Sequence, residues 1–322
     1  MSTSAKYIYV LFITLFVAGC GGGKDLFEDL FDKKEPVKVT KENAKQVARA
    51  GLRVFDVGDA GTFGAVVALV LVNGGAIASG EQSATCQQFY NSTNSSGNVV
   101  TKLTDADGNA RFSRGDSASL TFSDCVEPSK KIKLSGSMKI SFDPEICNGV
   151  PGAPQWTHGG ILEITELKGV ATAGNKTDNR TYKGSITFCA KATSATALTE
   201  QHKTSEFTVQ TSNDTLKLTD VTISATTDLA TTAYSHSAVA VMSSDSLKGS
   251  FRINTGAFFG TNAKVFAGIG SEFPRDGELE VSAGSSKVRI SAVDNTNVIL
   301  STDLDGDQVF ESTETVTWES LL

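Results

Sequence analysis

Asp303, Asp305, Asp307, Glu311 and Glu314 fall at the first, third, fifth, ninth and twelfth places of one stretch, Asp303–Glu314. Carboxylates at alternate places of a short polar loop wrap oxygen atoms around a hard cation such as Ca²⁺. The Val309 carbonyl stands at the seventh place, where a main-chain oxygen joins such a shell. A weaker copy runs over Asp105–Asp116, with Asp105, Asp107, Asn109 and Asp116 as oxygen donors and Arg111 at the carbonyl place. The alignment sets Asp105 on Asp303, Asp107 on Asp305, Gly108 on Gly306, Asn109 on Asp307 and Phe112 on Phe310. It continues with Asp116 on Glu314 and Leu120 on Trp318. Calcium is the cofactor this chemistry predicts, more weakly for the first loop. The simpler alternative is a pair of hairpin turns, because Asp-Gly is a turn dipeptide.

The spacing resembles the calcium loop of an EF-hand. That family needs glycine at the sixth place for a turn with positive φ, and Ala110 and Gln308 stand there instead. The flanks are rich in Val, Ile and Thr and read as strands, not helices. The resemblance implies a ligand arrangement and not a helix–loop–helix fold.

Other chemistry is sparse. His158, His202 and His236 show no metal-ligand spacing and stand beside no nucleophile motif, so they read as exposed strand or loop residues. No nucleophile elbow, phosphate loop or dinucleotide fingerprint is present. No catalytic residue is assigned and an enzyme is not expected. A hydrolase using paired acids is the rival, since their separation in space is invisible in a sequence.

The elements that must position the loops begin with a targeting segment, 1–19. Lys6 precedes a short apolar run, Tyr7–Val17, too short to span a bilayer. It closes on Val17-Ala18-Gly19-Cys20, which resembles the lipobox of bacterial lipoproteins. The resemblance implies cleavage before Cys20, acylation of that residue and stable anchoring by several acyl chains. Gly21 after it implies sorting to the outer membrane of a Gram-negative bacterium. Residues 20–38 read as a flexible tether. Losing the signal takes Lys+Arg from 29 to 28 against 36 Asp+Glu, a net of −8, which argues against a nucleic-acid partner.

Residues 39–75 read as a helical cap. Thr40–Phe55 carries Ala44, Val47, Ala48, Gly51 and Phe55 on one helical face, with Thr40 as N-cap. Phe63–Val72 is an unbroken apolar run, read as a second helix with Asn73-Gly74 closing it. From Val99 onward, apolar and polar residues alternate between turn signals. Residues 76–322 therefore form one β domain, or two lobes over 76–195 and 200–322. The fold class is mainly β: an antiparallel meander forming a sandwich, a curled sheet or a barrel, with one or two N-terminal helices. Lys, Ser, Thr and Glu at alternate positions argue against a transmembrane barrel.

Four cysteines remain after Cys20, an even count that in an exported chain reads as disulfides. A hairpin around the first acidic loop brings Cys125 back toward Cys86. A meander after it leaves Cys147 and Cys189 together at the opposite end. Cys125 and Cys147 would lie a full strand apart, roughly 40 Å at about 3.4 Å per residue, too far to bridge. The predicted pairs are Cys86–Cys125 and Cys147–Cys189.

Thr40–Ala48, Pro274–Val281, Val288–Ile290 and the Asp303 loop ending at Trp318 together resemble a loose set of uncharacterised proteobacterial lipoproteins. That resemblance implies an architecture and no mechanism. The expected role is a lipid-anchored envelope protein with a binding, adhesion or structural function, held to the bilayer through Cys20. Its partner would be an envelope protein, a glycan or an apolar ligand. The alternatives are a cell-envelope hydrolase and a carrier of an apolar ligand in a half-barrel.

Overall fold

The computed structural model describes residues 35–321, apart from 74–76, 78, 91–93, 128–131, 149–155, 174–175, 194–196, 229–232, 256–265 and 270–275. The signal segment, Cys20, most of the tether and Gly74 lie outside the described residues. Helices α1 (Ala44–Leu52), α2 (Val54–Asn73) and α3 (Cys86–Tyr90) and strands β1 to β15 make up the fold. The strands are β1 (Gly80–Thr85), β2 (Ser96–Thr104), β3 (Ser117–Glu127), β4 (Ile132–Phe142), β5 (His158–Ala173) and β6 (Lys176–Ala192). They continue as β7 (Ala197–Thr211), β8 (Thr215–Asp228), β9 (Ala233–Ser244), β10 (Gly249–Asn254) and β11 (Phe266–Ile269). The last four are β12 (Glu278–Ala283), β13 (Ser286–Ala292), β14 (Asn297–Asp303) and β15 (Ser312–Thr317).

All strands but β11 pair in chain order as one antiparallel meander, and β11 adds to β9. The first and last strands do not pair, so the sheet is open. This is the mainly β meander that the alternation predicts, in its curled and unclosed form.

Curling has a local cause. Nearly every neighbouring pair from β2 to β9 loses register once, at Ser96/Asn98, Phe122/Cys125, Ser137/Met138, Ile164/Leu167, Gly184/Thr187 and Thr219/Thr222. An extra residue on one strand bends it and deepens its twist. Asp124 and Asp220 take the required left-handed backbone at φ 50° and 52°. A row of such bulges folds the strands across their middles.

The helix fills the hollow. α1 and α2 run almost as one rod, Ala44–Val72, of 29 residues. It is interrupted at Arg53, where Arg53 N–H bonds Ala50 O and Asp56 N–H bonds Arg53 O, a tighter three-residue spacing. The rod is long and apolar enough to cross a membrane by length and composition, yet here much of it is buried in the sheet. Two residues along a helix are about 200° apart, so Asp56 and Gly58 face opposite ways. Asp56 meets Arg180 on β6, and Gly58 lies against Ile223 on β8. The sheet therefore wraps the rod, and one apolar cluster joins both.

The sequence reading of this segment needs two amendments. The helix begins at Ala44 after Asn43, while Thr40 and Asn43 exchange side-chain bonds across the preceding turn. The two predicted helical stretches are also one element, because 56–62 continue the helix between them. Both predicted disulfides form. Cys86–Cys125 and Cys147–Cys189 have Cα atoms 5.5 Å and 5.8 Å apart.

Candidate functional site

The two acidic loops fold alike. Asp105 accepts from Gly108 N at 2.8 Å and from Ala110 N at 2.8 Å. Asp303 accepts from Gly306 N at 2.7 Å and from Gln308 N at 3.1 Å. Asp107 takes Asn109 N, as Asp305 takes Asp307 N, and Asn109 Oδ1 takes Arg111 N, as Asp307 takes Val309 N. The sixth place has positive φ in both loops, 58° at Ala110 and 70° at Gln308. The missing glycine does not prevent the turn, because the first-place carboxylate binds that residue's N–H and holds it there.

Side chains then converge. Ligand oxygens of Asp303, Asp305, Asp307 and Glu311 all lie within 4.8 Å of one another, as do those of Asp105, Asp107 and Asp116. Asp303 and Asp116 are fully buried. The Asn109 N–H holds the Asp107 carboxyl below the usual range. Four carboxylates at such separations suit a hard divalent cation, which offsets their mutual repulsion.

The loops diverge at their ends. In the first, Asp116 accepts from Ala106 N at 2.7 Å and closes the loop. In the last, Glu311 does so, accepting from Leu304 N at 2.8 Å. Glu314, aligned with Asp116 by sequence, lies on β15 and pairs with Lys45 at 2.9 Å. It stands outside the acidic cluster, because β15 restarts at Ser312, three places sooner than a twelve-residue loop would allow. Leu120 and Trp318 are likewise not equivalent: Leu120 is in mid-strand, whereas Trp318 opens a 3-10 turn and donates Nε1–H to Asp294 O. The Val309 side chain is exposed.

Each loop is braced against the sheet. Phe112 is buried and packs on Phe142 at 5.4 Å between ring centroids. Arg289 of β13 stacks its guanidinium 4.6 Å from the centre of the Phe310 ring. β2 and β14 run in opposite directions in the meander, so the two loops sit at opposite ends of the sheet.

A second polar assembly lies beneath the helix. Arg53, Asp56, Asp59 and Thr62 recur every third residue, a polar stripe that leads into and along the otherwise apolar α2. Arg180 bridges Asp56 at 2.9 Å and Asp178 at 2.7 Å, and Arg53 reaches Asp178 at 2.7 Å. Burial works against the Asp178 carboxylate, but Arg180 and Arg53 outweigh it and hold its carboxyl below the usual range. Burial and the nearby Asp56 push the Asp59 carboxyl well up. Further along, Thr62 Oγ1 lies 3.0 Å from His202 Nε2, and His202 Nε2 lies 4.0 Å from Glu200 Oε2.

The histidines are therefore not exposed, against the sequence reading. His202 is fully buried, His236 and His158 nearly so, and His236 stacks on Phe55 at 3.8 Å. Gly61 and Thr62 of the helix cover His202 and Phe55 covers His236, and that docking is invisible to local periodicity. The polar stripe at every third helical residue was the one available signal.

Comparison with protein-family models, with curated proteins and with solved structures found no match to this chain.

Proposed function

We propose that this chain is a lipid-anchored envelope protein whose curled sheet is a binding or structural scaffold, stiffened by calcium at the Asp303 loop. The observation that carries the calcium reading is the convergence of Asp303, Asp305, Asp307 and Glu311 on one point, on a loop whose main chain is already turned. The lipobox ending at Cys20 and the two disulfides support an exported, anchored protein. The ligand set is revised from the sequence reading, with Glu311 closing the loop and Glu314 left to Lys45.

The hydrolase reading is weaker. Apart from the two acidic loops, the carboxylates of Asp56, Asp59 and Asp178 lie between helix and sheet, where Arg53 and Arg180 pair with Asp56 and Asp178 and burial pushes the Asp59 carboxyl well up. The carrier reading requires the hollow of the sheet for a ligand, and the protein's own helix packs there.

Calorimetric titration of the mature acylated chain in detergent with Ca²⁺ tests the proposal. One saturable site that Asp303→Asn abolishes supports it. Heats equal to those of dilution in the wild type would overturn it.

A further inference from the structure

Glu200 and His202 stand two residues apart on β7 and so share a face, both fully buried, and His202 meets the helix at Thr62. Among the described residues, neither Glu200 carboxylate oxygen has a hydrogen-bond partner, and neither has the His202 Nδ1. Their cross-strand neighbours supply nothing polar: Phe188 and Ala190 on β6, Ile223 and Ala225 on β8. The helix lies directly on the pair. A β-carbon at Gly61 would come 2.5 Å from the imidazole, and Thr62 is hydrogen-bonded to it. Leaving a lone ionised carboxylate in such a place costs several kcal/mol, and water can reach it only if the helix lifts.

We propose that Glu200 and His202 form a proton-dependent latch on the central helix. The helix stays seated while the pair carries no net charge, and its docked turns open to water when Glu200 gives up its proton. Other titratable groups on the elements packed around the pair are Arg53, Asp56 and Asp59 on the helix, Asp178, Arg180 and Tyr182 on β6, and His236 on β9. Arg53, Arg180, Asp56 and Asp178 are mutually paired, so among the described residues neither arginine is a counter-ion for Glu200.

The direction of the pH dependence follows. Burial pushes the Glu200 carboxyl up to about 8. Burial pulls the His202 imidazole down to about 3. A raised acid stabilises the fold below its ordinary value, and that contribution is lost as pH rises through about 8. A lowered imidazole stabilises the fold above its ordinary value, and that contribution is lost as pH falls through about 3. The two slopes oppose each other between about pH 4.5 and 6.5, giving a plateau there and a fall on either side.

The test is hydrogen exchange at the helix amides of residues 54–66, in the mature chain in detergent, corrected for intrinsic exchange at each pH. The expected opening equilibrium rises with pH from 6.5 to 8, by up to about tenfold per pH unit, the limit for one proton released on opening. Glu200→Gln, which keeps the shape of the side chain, should remove that step. Asp59→Asn should leave that step in place. Helix protection independent of pH in the wild type would overturn the proposal. So would a slope in Glu200→Gln equal to the wild type's.

Discussion

Gly61 and His202 touch so closely that a β-carbon on the glycine would come 2.5 Å from the imidazole ring. The contact sets how deeply the helix sits in the sheet, and an uncharged imidazole is what the helix rests on. Gly58, one turn earlier, leaves ordinary van der Waals distance, 3.5 Å, to Ile223. The two positions should therefore respond oppositely to alanine. Gly61→Ala should destabilise by about 1–3 kcal/mol through overpacking. Gly58→Ala should be neutral or stabilising by up to about 1 kcal/mol, from helix propensity. Denaturant unfolding with unchanged m-values checks both.

Arg180 is the hinge of the buried ion network, since among the described residues it alone joins Asp56 to Asp178. Arg180→Leu strips a buried partner from both acids and should cost about 3–5 kcal/mol. Adding Asp56→Asn should restore part of the loss, because one orphaned charge goes. Urea unfolding of the single and double variants reads the effect. Equal stability of wild type and Arg180→Leu would show that the network contributes nothing.

The disulfide Cys147–Cys189 spans 42 residues of chain. Replacing both cysteines by serine should cost about 4 kcal/mol in the chain-entropy account. The loss should appear as a lower melting temperature in the absence of reductant. Added reductant should bring the wild type below that variant, because it also opens Cys86–Cys125.

Gln308 holds φ 70° although it is not glycine. Gln308→Gly should relieve that conformation and gain about 0.5–1 kcal/mol, net of the added freedom of the unfolded chain. Gly306→Ala, at φ 88° with Ser285 O 2.6 Å from the added β-carbon, should lose stability. Thermal melts of the pair separate a turn limited by backbone strain from one limited by its side chains.

Much of the fold was legible because strands and turns are local. Alternation along Leu216–Ile223 or Val288–Ile290 marks a strand whatever lies above it. The disulfides followed from strand order alone. Glu200 and His202 were not legible, because alternation places them on a face without saying what covers it. Thr62 and Gly61, 138 residues or more away in the chain, decide their burial. The acidic loops were readable in composition but not at their ends. The sequence alignment chose Glu314 as closing acid, whereas the early restart of β15 gives that position to Glu311. The bulges escaped the reading because Asp124 and Asp220 take a left-handed backbone, which Asp adopts more readily than most residues but does not mark by itself.

Thermal melting of the protein, with chelator and with Ca²⁺ at about a hundred times its dissociation constant, tests the central claim most directly, alongside Asp303→Asn. Binding to the folded state alone should add about 2.7 kcal/mol, or roughly 4 °C for a chain of this size, and the variant should lose that gain. A wild type that melts at the same temperature in chelator and in Ca²⁺ would contradict the account and leave the Asp303 loop as a hairpin turn.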